Sequence, residues 1–162
     1  MFIPFEELNS ESRLWIYQSN KVFSEVEEKE IEALLMKFCE SWDVHGKSLP
    51  TSFVIKYNQF IMLAADESSL TASGCSIDSS VRLIKEIEQK FAVNLFDRLN
   101  IAYKLDGELK SCNINSFKAL LSKGAADGST IVFNNMVTIK KDLENNWEVP
   151  VEESWHKQLL GV

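Results

Sequence analysis

The chain is poor in the residues that build most recognisable active sites. It holds two histidines, His45 and His156, and three cysteines, Cys39, Cys75 and Cys112. No C-x-x-C pair occurs, and no spacing among these five residues matches a known ligand pattern, so no metal site is expected. An odd number of widely spaced cysteines reads as reduced thiols rather than a disulfide framework. Six glycines and three prolines leave no complete phosphate-cradling loop. No apolar run approaches the roughly 18 residues of a membrane helix, so membrane insertion is not expected. The opening residues, Met1 to Glu7, lack the basic-then-apolar order of a signal peptide. Positive charge is also scarce: 17 Lys and Arg stand against 24 Asp and Glu, a formal net charge of −7. Nucleic acids and anionic membrane surfaces both need Lys and Arg clusters, so neither is an expected partner. The expected location is the cytoplasm.

What is present is the composition of an ordinary globular domain, 45% apolar and 25% charged over 162 residues. The length suits one domain, and no linker, repeat or low-complexity tract divides it. Arg13 to Ser19 reads as a first strand. Ser24 and Glu27 form a capping box, and Ile31, Leu34, Leu35, Phe38 and Trp42 recur at helical spacing behind it. Ser52 to Ala65 reads as a hairpin with Asn58-Gln59 at its tip, Phe60 to Ala65 being apolar enough for a central strand. A polar loop, Asp66 to Ser76, precedes a second amphipathic helix marked by Ile77, Val81, Ile84, Ile87 and Phe91. Asp106-Gly107 joins two strand-like runs, Asn100 to Lys104 and Glu108 to Cys112. Asn113 or Asn115 caps a third helix that Gly124 closes. A strand over Thr130 to Val137, a helical piece around Lys140 to Asn145 and a terminal helix over Glu152 to Leu160 complete the expectation. The fold class is α+β. The order strand, helix, strand, strand, helix, strand up to Lys104 predicts a ferredoxin-like βαββαβ unit, with the rest as a C-terminal hairpin and helix extension.

Chemistry points first to Ser73-Gly74-Cys75-Ser76-Ile77-Asp78. Cys75 lies at the expected start of the second helix, with Ser76 as the expected N-cap, where a thiolate is favoured by the helix dipole. Gly74 would let a ligand approach the backbone, and Ser73 and Ser76 could bind it. His45 or His156 could act as base toward Cys75, making the three a candidate catalytic set. Asp66 and Glu67 end the apolar strand, and Asp78 opens the helix beyond, so these carboxylates could join the same ligand site. The competing reading is structural: Cys75 as a small filler, the serines as caps, Asp78 as a complement to the dipole and the histidines as surface residues. Asp97-Arg98 reads as a local ion pair or loop anchor. Aromatics alternating on the strands, among them Trp15, Tyr17, Phe53 and Tyr57, could leave an open sheet face that pairs two copies as a homodimer.

The stretches Met1-Phe2-Ile3-Pro4-Phe5-Glu6-Glu7-Leu8, Ser73 to Val81, and Asn146-Trp147-Glu148-Val149-Pro150 with Glu153-Ser154-Trp155-His156 resemble a small family of Bacteroidota proteins commonly labelled "ABC transporter ATPase". The resemblance implies nucleotide binding. Gly46-Lys47-Ser48 matches the end of a Walker A loop, but Ser41 stands where its first glycine belongs, and no LSGGQ-like segment occurs. Ile61 to Glu67 has the form of a Walker B strand, which any buried strand ending in acids shares. The residues themselves favour a module that binds a small ligand or a protein partner, with a Cys75-dependent enzyme as the alternative; no cofactor is identified.

Overall fold

The structure, a computed structural model, describes residues 1–161. It is α+β, with antiparallel sheets and helices. The chain forms two compact units: Met1–Phe96 with Thr138–Lys141, and Asp97–Val137 with the residues from Asp142 onward. Among the described residues, no helix is long and apolar enough to cross a membrane.

The first unit begins with β1 (Arg13–Gln18) and α1 (Glu25–Ser41). The capping box forms as expected: Ser24 Oγ accepts from Glu27 N at 3.1 Å, and Glu27 Oε1 accepts from Ser24 N at 2.9 Å. A two-stranded hairpin follows, β2 (Asp43–Val44) and β3 (Lys47–Ser48), and then β4 (Thr51–Lys56) and β5 (Phe60–Ala65). The β4–β5 loop is Tyr57-Asn58-Gln59, with the left-handed residues at Tyr57 and Asn58. The turn therefore starts one residue earlier than expected. β5 lies between β1 and β4, antiparallel to both, and is wholly buried, as its unbroken apolar run requires.

α2 spans Gly74–Phe91. With α1 it covers one face of this sheet: Ile31, Leu35 and Cys39 of α1 and Ile84 and Ile87 of α2 pack with Ile61, Leu63 and Ala65 of β5. Each large aliphatic side chain so buried contributes about 1.5–3 kcal/mol by leaving water.

The second unit holds β6 (Asn100–Leu105), β7 (Glu108–Asn113), α3 (Ile114–Ser122), β8 (Ile131–Phe133), α4 (Leu143–Asn146) and β9 (Glu148–Pro150). Its sheet order is β7-β6-β8-β9. Asp106 and Gly107 both have positive φ, the backbone that a tight hairpin turn demands. Asn113 caps α3 by accepting from Ser116 N at 2.8 Å. Phe117 packs with Ile101, Tyr103, Val132 and Val151.

Three expectations are corrected. The first is the ferredoxin-like sheet. β1-β5-β4 reproduces three of its four strands, but β6 pairs with β7 and β8 in the other sheet. The outer edge of β1, where a fourth strand would lie, is taken by Thr138–Lys140: Leu14 N donates to Thr138 O at 2.8 Å and Lys140 N to Ser12 O at 2.9 Å. The second is the strand Thr130 to Val137, which stops at Phe133 because Val137 N turns back onto Asn134 O. The third is the terminal helix. It is two short 3-10 segments, Val151–Glu153 and Trp155–Leu159, divided at Ser154, whose extended backbone (φ −130°, ψ 178°) ends one and whose hydroxyl caps the next.

Candidate functional site

The N-cap of α2 is Ser73, not Ser76. Ser73 Oγ accepts from Ser76 N at 3.2 Å, and Ser76 Oγ donates back to Ser73 O at 3.0 Å. The helix thus begins three residues earlier than the apolar periodicity marks, because Gly74, Cys75 and Ser76 offer no apolar signal. Cys75 is the second residue of the first turn and is exposed. Neither its N–H nor that of Gly74 has a partner among the described residues, as the opening of a helix leaves them.

Cys75 and His45 line the same open cleft, of about 450 Å³, with Ser73, Ser76 and Ser79 of α2 and Phe38, Ser41, Trp42 and Asp43 from the end of α1 and the start of β2. Trp42 forms its floor. It is buried, its ring lies 4.9 Å from Phe38 and 5.6 Å from Trp15, and its Nε1–H donates to Ser76 O at 2.9 Å. That bond ties the end of α1 to the first turn of α2. The serines are largely committed to the backbone, Ser79 Oγ donating to Ser76 O at 2.7 Å and Ser80 Oγ to Ile77 O at 2.6 Å.

His45 reaches the cleft through an unusual turn. His45 and Gly46 both have positive φ, 52° and 76°, between the paired residues Val44 and Lys47. This is the two-residue hairpin turn that asparagine-glycine favours. Gly46-Lys47-Ser48 therefore turns a hairpin and enters β3. It is followed by no helix, so its N–H groups do not form a Walker A cradle. Ile61 to Ala65 belongs to an antiparallel sheet, unlike the parallel sheet of a P-loop fold.

The remaining expected residues lie elsewhere. Asp66 is engaged in a turn. Burial works against its charge, but Ser68, through main chain and side chain, and Asn9 hold its pKa below the ordinary value. Glu67 pairs with Arg13 at 3.4 Å, and Arg13 lies over the Trp15 ring. Asp78 is exposed on α2 and does not line the cleft. Gly74 is not required by packing, since a Cβ there would meet nothing within 4 Å. His156 belongs to the second unit, buried against Phe117 and stacked on Trp155 with ring centroids 3.9 Å apart. Its Nδ1 lies 2.6 Å from Ser154 Oγ, and burial pushes its pKa down to about 4. A histidine that is neutral and enclosed in this way is a core residue, and it does not line the cleft. Asp97 is a loop anchor, accepting from Leu99 N at 2.9 Å.

Phe38 and Trp42 were legible only as core, being four residues apart on the apolar face of α1; Asp43 gave no signal. Among the described residues, no group of three or more His, Cys, Asp or Glu is placed to hold a metal ion. No protein-family model, curated protein or solved structure matches the chain.

The three thiols differ sharply. Cys39 is buried beneath α1, and burial pushes its pKa up to about 11, against a hydrogen bond from Thr51. At pH 8 only about one in a thousand such thiols is ionised. Cys112 is half-buried, and burial raises its pKa too. Iodoacetamide at pH 8 is therefore expected to label Cys75 at least tenfold faster than Cys112, and Cys39 only on unfolding, as read by peptide mass spectrometry.

Proposed function

We propose that the chain is a binding module for a small organic molecule, and that the ligand occupies the cleft between the end of α1, the β2–β3 turn and the start of α2. The single observation that carries this reading is the make-up of that cleft: an aromatic floor of Phe38 and Trp42 with polar groups around it, in a volume suited to a small molecule. Two unpartnered N–H groups at Gly74 and Cys75 favour an anionic group on one side. Asp43 favours a cationic one on the other. The ring of the ligand would lie against Phe38, which is only half-buried. The test is an NMR titration with benzoate and with benzylamine. Shift changes confined to the Trp42 indole N–H and the amides of Asp43, Gly74 and Cys75 are expected from at least one of them. No change with either at millimolar concentration would refute the reading.

A second reading, thiol-dependent catalysis, is favoured by one observation: Cys75 and His45 share the cleft. In this reading His45 takes the thiol proton and Cys75 adds to a carbonyl carbon of the ligand, the C=O π pair moving to the oxygen, which then takes the proton back from His45. His45→Asn suits the test because asparagine is at home in the same turn, so the hairpin survives. A fall of tenfold or more in Cys75 alkylation at pH 7 supports the base role; an unchanged rate removes it.

A further inference from the structure

Helices α1 and α2 meet the cleft with opposite ends. Phe38, Ser41 and Trp42 bring the C-terminal end of α1 to one wall, and Ser73, Cys75 and Ser76 bring the N-terminal end of α2 to the other. Aligned peptide dipoles give a helix roughly half a negative charge at its C-terminus and half a positive charge at its N-terminus. At the ends remote from the cleft, side chains of the complementary sign answer this charge. The first turn of α1 carries Glu25, Glu27 and Glu28, and the last turn of α2 carries Lys90. At the two ends that line the cleft the complement is missing. The last turn of α1 has no basic residue, and the first turn of α2 has no acidic one. Asp78, the next acid along α2, does not line the cleft. Asp43 adds a full negative charge on the α1 side, and no Lys or Arg lines the cleft to offset it. The two poles are tied together. Trp42, the C-cap of α1, donates its indole N–H to Ser76 O in the first turn of α2 at 2.9 Å, so the ends are joined through a single side chain.

We infer that the ligand of this cleft is a zwitterion, an aromatic α-amino acid. The inference rests on the small-molecule reading above and names the class of that ligand. The carboxylate takes the N–H groups of Gly74 and Cys75, where the missing acid of the first turn of α2 belongs. The ammonium faces Asp43 and the end of α1, where the missing base belongs. The ring lies against half-buried Phe38. A ligand with a carboxylate alone leaves Asp43 and the α1 terminus without a counter-charge. One with an ammonium alone leaves the α2 amides unmet. An α-amino acid bears both charges on one carbon, which suits two poles joined through one side chain.

Three probes on one skeleton test this. Phenylalanine carries both charges, 3-phenylpropionate only the carboxylate and phenethylamine only the ammonium. Their dissociation constants are read by NMR from the Trp42 indole N–H and the amides of Asp43 and Cys75, at low salt, where exposed charges are least screened. Phenylalanine is expected to bind at least about fivefold more tightly than either analogue, the effect of one added charge at a helix terminus. If either analogue binds in the cleft within that factor of phenylalanine, the zwitterion is overturned and the small-molecule reading stands. If none of the three, nor benzoate or benzylamine, shifts these resonances at millimolar concentration, that reading falls and the inference with it. Asp43→Asn then locates the ammonium. It is expected to weaken phenylalanine and phenethylamine by about threefold, the scale of an exposed ion pair, and to leave 3-phenylpropionate unchanged or tighter. Equal weakening of all three, or no change in phenylalanine, overturns the inference.

Discussion

Acidification from pH 6.5 to pH 4 is expected to remove roughly 3 kcal/mol of folding stability through His156 alone. The imidazole titrates near 4 in the folded chain, pushed down by burial, against an ordinary value near 6.5. Above about pH 6.5 it is neutral in both states and stability is complete. Between 6.5 and 4 the unfolded chain takes up a proton that the folded chain refuses, so stability falls; below 4 both states are protonated and the loss is constant. Asp66 and Asp127, whose carboxylates are held low in the folded chain, also lose their contribution on acidification. His156→Phe separates the effects. Phenylalanine keeps an aromatic ring against Phe117 and Trp155 but cannot titrate. Urea unfolding at pH 7, 5.5 and 4 should show the variant losing less stability than the natural chain by about that amount. Equal losses in the two chains would show that His156 is not the buried neutral group described.

Trp42→Ala is expected to cost about 3–5 kcal/mol, the usual range for removing a buried large aromatic. Trp42 is 2% exposed, packs against Phe38 and Trp15, and donates its indole N–H to Ser76 O. Its removal leaves a cavity at the end of α1, unties that end from α2 and takes away the cleft floor. Trp42→Phe keeps most of the packing and deletes only the indole bond; Ser76 O keeps the bond from Ser79 Oγ, so the cost is about 1 kcal/mol. Thermal unfolding gives both costs. Amide exchange adds a local readout: Ser76 and Ile77, at the first turn of α2, should exchange faster in both variants. If the phenylalanine variant matches the natural chain in stability and exchange, the Trp42–Ser76 bond is not what joins the two helices.

The elements of this chain that were legible in its sequence are those set by short-range chemistry. Ser24 and Glu27 announce α1 because a hydroxyl and a carboxylate three residues apart can meet only the amides of a helix start. Asp106-Gly107 announces β6–β7 because few other pairs accept two positive φ values. The run Phe60 to Ala65 announces a strand buried on both faces because nothing in it tolerates water. His45-Gly46 takes the same kind of turn with a weaker local signal, since histidine is a less usual partner for glycine there than asparagine.

The candidate site was legible only in part. Ser73, Cys75 and Ser76 stand out as a helix start, but the same residues suit a plain cap, and nothing local separates the two. The fate of each histidine rests on packing far away in the chain. His45 reaches Cys75's cleft because a short hairpin, Asp43 to Ser48, follows α1, while His156 is enclosed by Phe117, from another helix.

Residue order was therefore enough to specify the α+β class, the capped helix starts and the tight turns, since each depends on hydrogen bonds between residues two to four apart. Which edge β6 joins, which acids remain beside the thiol and which histidine stays in water were decided by tertiary structure. These depend on contacts between residues tens of positions apart, such as Leu14 with Thr138 and Trp42 with Ser76, whose burial no local pattern encodes.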